Sequence, residues 1–292
     1  MYSNKIDLDK FYTKKDVVLK CINYIDFSLY DFVIEPSAGN GSFYNQIKHN
    51  NKIGLDLKPE SPDIICNDWF DYKIDNKYKK VLIIGNPPFG KRNALSKKFL
   101  QHSCSFTNVH TIAFILPNVY NKHTLQKYVS SEFRLKNIIK LDDNAFLINN
   151  KSYHVPCSFF IFDKSKGECL RFNPELYRET NDWQYGDKNN HDFFIMGASI
   201  NTVKESPTKN NRGYYIKVKK GIDIEKVKNK FKNLKVEIFS SVNGGVAWMT
   251  KPELVKNYVK NLNKPLTFAS KAWYNISKGW GLTLSYFNLN EK

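Results

Sequence analysis

The sequence is poor in several features that would assign it to a specialised class. No stretch approaches the roughly 18 consecutive apolar residues of a membrane span, and its start has no apolar core of a secretory signal. The five cysteines are odd in number, scattered, and form no CxxC pair, which argues against a disulfide framework and a zinc knuckle. We therefore expect no membrane partner, no metal site, and a reducing, cytoplasmic compartment.

Acidic residues are also few beside basic ones. The chain has 292 residues, of which 45 are Lys or Arg and 28 are Asp or Glu, for a net charge of +17. Such a balance favours a polyanionic partner, because each neutralised phosphate releases counterions. Residues 166–292 carry 22 basic and 12 acidic residues, a net charge of +10. A coding bias toward lysine is an alternative origin of part of this charge.

The densest basic run is predicted to surround one helix. Apolar residues recur at helical spacing at Ile224, Val227, Phe231 and Leu234, so the lysines between them are expected on the outer face of an amphipathic helix. The run comprises Lys217, Lys219, Lys220, Lys226, Lys228, Lys230, Lys232 and Lys235. Such a face either contacts phosphates or is an ordinary solvated surface.

A short motif with specific chemistry follows the apolar run 81–85. Asn86, Pro87, Pro88 and Phe89 place an amide oxygen, a rigid turn and an aromatic face at the end of a predicted strand. Ligands bind at the carboxyl edge of open α/β sheets. The prolines fix φ and remove two backbone donors, so the Asn86 side chain and the Pro87 carbonyl can hold fixed directions. These acceptors suit an exocyclic NH₂ group on a planar ring, and Phe89 can stack on that ring.

Three predicted strand ends upstream carry residues suited to a nucleotide-like ligand. The strand 31–35 ends in Glu35 and leads through a glycine-rich turn into a predicted helix. Glycine in such a turn permits a tight bend and close approach of a ligand. The turn consists of Pro36, Ser37, Ala38, Gly39, Asn40 and Gly41. The next strand ends in Asp56, which is placed to accept hydrogen bonds from ribose hydroxyls. A third strand ends in Asp68 and Trp69.

The N-terminal segment adds a further element. Tyr12 and Thr13 lead into a predicted amphipathic helix. One face of that helix holds Val17, Val18, Cys21, Ile22 and Ile25. Thr13 suits either a ligand contact or the N-cap position of the helix.

These motifs and their order resemble the γ class of S-adenosylmethionine-dependent N6-adenine DNA methyltransferases, whose signature is Asp/Asn/Ser-Pro-Pro-aromatic. The resemblance is specific over residues 9–165 and weak beyond them. It implies that Asn86, Pro87, Pro88 and Phe89 are catalytic and that S-adenosylmethionine is the cofactor. The implied cofactor site consists of Tyr12, Thr13, Glu35, Pro36, Ser37, Ala38, Gly39, Gly41, Asp56, Leu57, Asp68 and Trp69.

The resemblance also implies a mechanism and a partner. Asn86 Oδ1 and the Pro87 carbonyl would accept both hydrogens of the adenine amine, so positioning rather than a strong base lowers the barrier. The base must leave the duplex stack, which makes double-stranded DNA the expected partner. The expected substrate contacts are Lys91, Arg92, Tyr153, His154, Lys217, Lys219 and Lys220. A cognate restriction endonuclease is compatible with this assignment, and both monomer and dimer stay open.

The predicted fold is α/β: a Rossmann-like class I methyltransferase domain with a mostly parallel, doubly wound sheet, followed by a smaller basic α+β domain. Alternating strands and helices argue for the parallel sheet. After Phe89 we predict a helix through Leu95 and Leu100, then strand 111–117, helix 125–133, strand 135–141 and an antiparallel last strand 155–162. The cofactor-binding catalytic domain is placed at residues 1–165.

The second domain, residues 166–292, is interpreted as a target-recognition, nucleic-acid-binding module. Residues 173–212 are expected to be irregular, because they are rich in Asn, Asp, Gly and Pro. Strands are predicted over 214–218 and 236–239. A second helix is predicted to begin at a capping box near Thr250.

Three alternatives stay open. An RNA N6-adenine methyltransferase uses the same signature and also needs a basic surface. A protein glutamine methyltransferase uses it because a side-chain amide is likewise a planar NH₂ group, although the basic C-terminal region argues against this function. The third is a catalytically silent nucleic-acid-binding relative, against which the intact Asn86 motif and glycine-rich turn argue.

Overall fold

The structure is a computed structural model that describes residues 11–148, 151–197, 199–234 and 249–260. These residues form two compact units. Residues 11–174 belong to the first, and residues 175–234 with 249–260 belong to the second. No helix in the described ranges is long and apolar enough to cross a membrane.

The first unit is built on a seven-stranded sheet with the strand order β4-β3-β2-β5-β6-β10-β7. In this sheet β10 pairs antiparallel with β6 and β7, and the other neighbouring strands pair in parallel. The strands are β2 (Phe32–Glu35), β3 (Lys52–Asp56), β4 (Ile65–Cys66), β5 (Val81–Gly85), β6 (Val109–Pro117), β7 (Arg134–Lys140) and β10 (Cys157–Asp163). The predicted mostly parallel sheet with an antiparallel last strand is confirmed, and the architecture is Rossmann-like.

This sheet is covered on both faces. Val81 and Ile83 of β5 lie in one apolar cluster and Leu82 lies in another, because successive side chains of a strand point to opposite faces. The helix α1 (Lys15–Ile22) packs in the Leu82 cluster, and α2 (Ala94–Ser105) packs in the other. Strands buried on both faces are continuous apolar runs, which is why β5 and β6 are recognisable in the sequence.

Three local elements of the first unit differ from the sequence prediction. The third upstream strand is only the two-residue β4, whose residues are exposed at the edge of the sheet. The glycine-rich turn leads into one 3₁₀ turn, Tyr44–Gln46, rather than a helix. Only Ile47 separates this turn from the polar residues 48–51, which offer no apolar face to continue a helix. The helix predicted over 125–133 is only α3 (His123–Gln126).

A small antiparallel sheet joins the N-terminal segment to a hairpin much later in the chain. β1 (Tyr12–Thr13) pairs with β8 (Phe146–Ile148), which pairs with β9 (Lys151–Tyr153). Lys14, not Thr13, occupies the N-cap position of α1, and no side chain caps the helix. The N-cap interpretation of Thr13 is therefore wrong, because Thr13 lies in a strand.

The second unit is a four-stranded antiparallel sheet, in the order β11-β14-β12-β13, with two helices. The elements are β11 (Trp183–Tyr185), β12 (Phe193–Met196), β13 (Ser199–Lys204), β14 (Gly213–Val218), α4 (Ile224–Lys232) and α5 (Lys251–Lys260). The prediction that residues 173–212 are irregular is wrong, since three strands lie there. They are short and are separated by turns rich in Asn, Asp and Gly, which obscure their alternation. The strand predicted over 236–239 lies outside the described residues.

The lysines of α4 do not all lie on its outer face. Lys228 is buried, and its ammonium donates to Glu205 at 2.8 Å. The ammonium of Lys230 lies 3.6 Å from the ring centre of Tyr258 and 3.5 Å from Asp182. The prediction of an outward lysine face is wrong for these two residues, because a long lysine stem can lie along apolar surface while its charge reaches a carboxylate.

The helix predicted to begin near Thr250 is confirmed, with one of the two hydrogen bonds of a capping box. The main-chain N–H and the hydroxyl of Thr250 donate to Glu253 Oε2 at 2.7 and 2.9 Å. The Glu253 carboxylate thus satisfies the Thr250 N–H just before the helix, as in a capping box. The following residues Leu254, Val255 and Tyr258 are buried in the core of the second unit.

Trp183 is central to that core, and its removal should destabilise the second unit. Its ring is 1% exposed and its centroid lies 5.5 Å from that of Phe231 and 5.4 Å from that of Tyr258. Trp183→Ala should lower the free energy of unfolding by about 3–5 kcal/mol, because a large cavity replaces the ring. Gln184→Ala, at the exposed next position, should change it by less than about 0.5 kcal/mol. Urea unfolding followed by circular dichroism measures both, and equal effects would contradict this role of Trp183.

Candidate active site

The carboxyl ends of β2, β3 and β5 border a cavity of about 540 Å³ in the first unit. This is the edge at which α/β sheets bind ligands, and the volume is typical of small-molecule sites. The described residues that line it are Phe11, Tyr12, Thr13, Glu35, Pro36, Ser37, Ala38, Gly39, Asn40, Ser42, Phe43, Asp56, Leu57, Lys58, Glu60, Asn67, Asp68, Trp69, Phe70, Asn86, Pro88, Leu95 and Phe99. The structure thus brings together every residue of the implied cofactor site except Gly41.

The glycine-rich turn has a backbone shape that side chains disfavour. Gly39 and Gly41 have φ angles of +51° and +83°, in the left-handed region that suits glycine. A Cβ on Gly41 would lie 2.8 Å from the amide nitrogen of Asn45. The N–H of Ala38 donates to the carbonyl of Leu55 at 2.8 Å. The turn is therefore fixed against β3, with main chain close to the cavity.

Asp56 ties this turn to the end of β3. One carboxylate oxygen accepts the N–H of Gly39 and the other accepts the N–H of Lys58, both at 2.8 Å. A carboxylate has about four acceptor sites, so acceptor capacity remains for the ribose hydroxyls that the sequence predicts. Asp56 therefore shapes the turn as well as offering acceptors at the cavity.

The segment after β4 contributes an acid and aromatic rings. The carboxylate of Asp68 accepts the N–H of Phe70 at 2.9 Å, which closes a tight turn. Trp69 is 1% exposed, and its ring packs edge-on against His102 in the apolar core. Leu57, in contrast, is 65% exposed at the cavity. Leu57 therefore offers more free apolar surface to a ligand than Trp69 does.

Asn86 is held by the segment that precedes α1. Its amide nitrogen donates to the Thr13 hydroxyl at 3.2 Å and to the Phe11 carbonyl at 3.4 Å. Its main-chain carbonyl accepts the hydroxyl of Ser37 at 3.3 Å, which links it to the glycine-rich turn. Its side-chain oxygen is buried and has no hydrogen-bond partner among the described residues. Buried acceptors of this kind are few in native proteins, and this one lies at the cavity, where it is available to a hydrogen-bond donor.

Phe89, the aromatic residue that ends the Asn-Pro-Pro-Phe motif, is not free to stack on a ligand in this structure. Its ring is 9% exposed and stacks on Phe11, with 6.2 Å between centroids and 26° between planes. Pro88 lines the cavity, whereas Phe89 and Pro87 are not among its lining residues. In this structure Phe11 covers the ring of Phe89.

Glu35 brings a buried carboxyl to the same cavity. Its Oε2 has no hydrogen-bond partner among the described residues. Burial raises the pKa of Glu35 well above its ordinary value of 4.5, and the charge of Asp56 raises it further. A backbone hydrogen bond from Tyr44 and the charge of Lys52 lower this pKa, but by less. The Lys52 ammonium donates to the carbonyls of Tyr44 and Ile47, both at 2.8 Å. Glu35 therefore keeps its proton to a higher pH than an exposed glutamate.

The substrate residues expected in the first unit do not line the cavity. Lys91 and Arg92 are exposed on the turn before α2. His154 is exposed, and its Nδ1 lies 2.9 Å from the Asp143 carbonyl oxygen. Tyr153 ends β9, where its Cα is paired with that of Phe146.

The three lysines expected to contact the substrate lie in the second unit. The ammonium of Lys217, on β14, donates to Asp192 at 2.8 Å. Lys219 lies 4.0 Å from Glu179. Lys220 is exposed on the turn before α4. Lys219 and Lys220 therefore offer more available charge than Lys217.

Several residues at the cavity carry little or no signal in the sequence. The hydroxyl of Tyr12 donates to both carboxylate oxygens of Glu60 at 2.8 and 2.9 Å, yet the two residues are 48 positions apart and no spacing connects them. Phe11 and Phe70 are different, because each directly adjoins a residue of the implied cofactor site. Their aromatic character beside those residues was a usable signal.

Comparison with known proteins gives partial matches. No protein-family model matches the chain. The type II methyltransferase M.HincII of Haemophilus influenzae is 26% identical over 182 residues, covering 56% of this chain and 35% of that protein. The type II methyltransferase M.HindII of Haemophilus influenzae strain Rd is 26% identical over 182 residues, covering 56% of this chain and 34% of that protein. The chain thus spans about a third of the length of these curated relatives.

Among solved structures, the 23S rRNA methyltransferase ErmE superposes with a TM-score of 0.42 and 10% sequence identity, covering 87% of this chain and 100% of that chain. The sequence matches make the chain similar to type II methyltransferases over part of its length.

The buried carboxyl of Glu35 should make stability depend on pH. An unfolded glutamate loses its proton near pH 4.3, whereas folded Glu35 holds its proton to higher pH, so this residue's contribution to stability is lost as pH rises between those two pKa values. Glu35→Gln removes the titration and keeps the shape. Its free energy of unfolding relative to the native protein should rise by up to about 1.4 kcal/mol per pH unit within that window.

Urea unfolding of both proteins between pH 4.5 and 7.5, without cofactor, checks this expectation. A difference in the free energy of unfolding between the two proteins that stays constant with pH would contradict the raised pKa of folded Glu35. Asp71→Asn, which removes an exposed carboxylate of the same unit, is the matched control.

Proposed function

We propose that this protein transfers a methyl group from S-adenosylmethionine to the N6 amine of an adenine in DNA. The observation that carries the proposal is the unpartnered, buried side-chain oxygen of Asn86 on the wall of a cavity lined by the implied cofactor residues. An amide oxygen in this place can accept a hydrogen bond from a ligand, and an exocyclic amine has hydrogens to donate.

The residues at the cavity fit the cofactor. The turn at Gly39 lets main chain approach a ligand closely, and Asp56 retains acceptor capacity for ribose hydroxyls. Leu57 offers an exposed apolar surface for an adenine ring. Glu35 brings a buried carboxyl to the cavity wall, and its Oε2 has no partner among the described residues. When bound, S-adenosylmethionine would supply an electrophilic methyl group on a positively charged sulfur.

Asn86 and Pro87 would prepare the amine for reaction. The amine lone pair of adenine is delocalised into the ring, so the nitrogen is a poor nucleophile. Asn86 Oδ1 and the Pro87 carbonyl would each accept one amine hydrogen and favour a tetrahedral nitrogen whose lone pair points toward the methyl group. Fixed acceptors of this kind lower the barrier by positioning and by charge placement, without a strong base. The electron pair of the broken sulfur–methyl bond would stay with sulfur, and the excess proton of the methylated nitrogen would pass to water.

Two observations support DNA as the substrate. The relatives that match over 182 residues both carry the name type II methyltransferase. Residues 166–292 carry a net charge of +10, which suits a phosphate backbone. The N6 atom of adenine cannot be reached inside a duplex, so the base must be extruded into the site. Phe89 would stack on it after Phe11 has moved from its ring.

Incubation with tritiated cofactor and separate pools of double-stranded DNA, RNA and protein tests the proposal. Label in N6-methyladenine from DNA is the expected result. Label in RNA adenine would reassign the protein to RNA, and label in glutamine side chains would make it a protein methyltransferase. If the protein binds the cofactor but labels none of the pools, the result would favour the alternative of a catalytically silent nucleic-acid-binding relative.

Asn86→Ala should reduce methyl transfer by at least about 100-fold, in the range found when one fixed hydrogen-bonding group of a transition-state site is removed. Calorimetry should show cofactor affinity within a few-fold of the native protein, and circular dichroism should show an intact fold. Full activity in this variant would rule out the amino-methyltransferase mechanism.

The basic charge of the second unit should make DNA binding depend steeply on salt. Lys219→Glu with Lys220→Glu should weaken DNA binding and lower the salt slope, with cofactor affinity unchanged. Lys226→Glu with Lys232→Glu is the matched control, because these exposed lysines of α4 receive the same charge change. Fluorescence anisotropy measures both. Equal weakening by the two pairs would mean that net charge, rather than a contact at residues 219–220, attracts DNA.

A further inference from the structure

We infer that Thr13 is a positioning residue, which holds the Asn86 side-chain amide in the orientation whose oxygen faces the reacting amine. The inference rests on the proposed function and adds a role to a residue that the resemblance assigns only to the cofactor. It starts from the two hydrogen bonds donated by the Asn86 amide nitrogen.

The orientation of the amide is set by its acceptors. A side-chain amide has two N–H donors on nitrogen and acceptor sites only on oxygen. The Phe11 carbonyl cannot donate, so the amide nitrogen must face it. The Thr13 hydroxyl oxygen lies on the same side and accepts the other N–H at 3.2 Å. With both N–H groups used, the amide oxygen is left as the atom available to a ligand, and it is the atom without a partner among the described residues.

Thr13 makes the shorter of the two hydrogen bonds. The Phe11 carbonyl accepts at 3.4 Å, beyond the usual 2.7–3.2 Å range of N–H···O bonds, whereas the Thr13 distance falls at its upper limit. Because a hydroxyl can also donate, the Phe11 carbonyl is the group that excludes the inverted amide, and the Thr13 hydroxyl holds the amide in the orientation that this carbonyl selects. In the inverted state an NH₂ group would face the amine of the substrate, donor against donor, and the site could not bind it productively.

The position of Thr13 is itself fixed by the small sheet. In β1, Thr13 is paired with Phe146 and Tyr12 with Leu147. The N–H of Lys14 donates to the Ala145 carbonyl at 3.1 Å, which continues this pairing to the start of α1. Thr13 is buried, so its hydroxyl is held in place rather than sampling solvent. Since a hydroxyl that accepts a hydrogen bond still has a proton to donate, a cofactor contact is compatible with this role.

A pair of variants tests the inference. Thr13→Val keeps the shape and removes the acceptor oxygen, whereas Thr13→Ser keeps the oxygen. At saturating cofactor and DNA, kcat of Thr13→Val should fall about 10- to 100-fold, as expected when a reacting group is misplaced. Thr13→Ser should restore most of the loss. Calorimetry gives the cofactor Kd of each variant, so that a cofactor effect is measured separately from kcat.

The side-chain NH₂ signals of Asn86 give a readout that needs no activity. In ¹⁵N-labelled protein they are assigned by their disappearance in Asn86→Ala. They should keep their positions in Thr13→Ser and shift in Thr13→Val, because one of the two hydrogen bonds is lost. Unmoved signals in Thr13→Val, with an unchanged kcat and only a weaker cofactor Kd, would overturn the inference and leave Thr13 a cofactor contact.

The same NH₂ signals separate a failure of the proposed function from a failure of the inference about Thr13. If the native protein methylates no substrate, the proposed function fails. The NH₂ signals then decide alone: a shift in Thr13→Val with none in Thr13→Ser supports the orientation of Asn86 by Thr13, and no shift refutes it.

Discussion

Parallel pairing at the centre of the seven-stranded sheet is the constraint on which the candidate site depends. In β2, Val33 is paired with Lys52 of β3 on one side and with Leu82 of β5 on the other. Because the three strands run in one direction, the segments that follow them leave the sheet at the same edge. The glycine-rich turn, Asp56 and Asn86 meet for this reason, although dozens of residues separate them in the chain. Hydrogen bonds from Gly39 to Asp56 and from Ser37 to Asn86 then join the three segments.

The location of the site could be predicted from the sequence, but its internal bonding could not. Buried parallel strands are continuous apolar runs, so the ends of β2, β3 and β5 are visible, and with them Glu35, Asp56 and Asn86. The bonds that orient Asn86 are not visible, because they come from a segment whose position depends on a distant hairpin. The stacking of the Phe11 ring on Phe89 cannot be predicted from the sequence for the same reason. Local patterns indicate where strands end but not which distant groups pack there.

The second unit shows a different limit of sequence patterns. Helical spacing correctly indicates α4, and the capping box correctly indicates the start of α5. The same spacing leaves Lys228 and Lys230 on a nominally outer face, although the first is buried and both meet carboxylates from other segments. Periodicity describes a helix in isolation, whereas the environment of each charge is set by the neighbours that fold against it. Charge counts therefore overstate the free positive surface of this unit.

The small sheet β1-β8-β9 has a consequence for how the protein is made. Its contacts join the two ends of most of the first unit: the Lys14 ammonium donates to the Ser152 hydroxyl, 138 residues further along. Contacts of such long sequence separation form against a large loop-closure entropy and tend to come late in folding. β1 leaves the ribosome well before β8 and β9, and it has no strand of this sheet to pair with until they have been synthesised. The segment that holds Asn86 is thus made long before the hairpin that fixes its position.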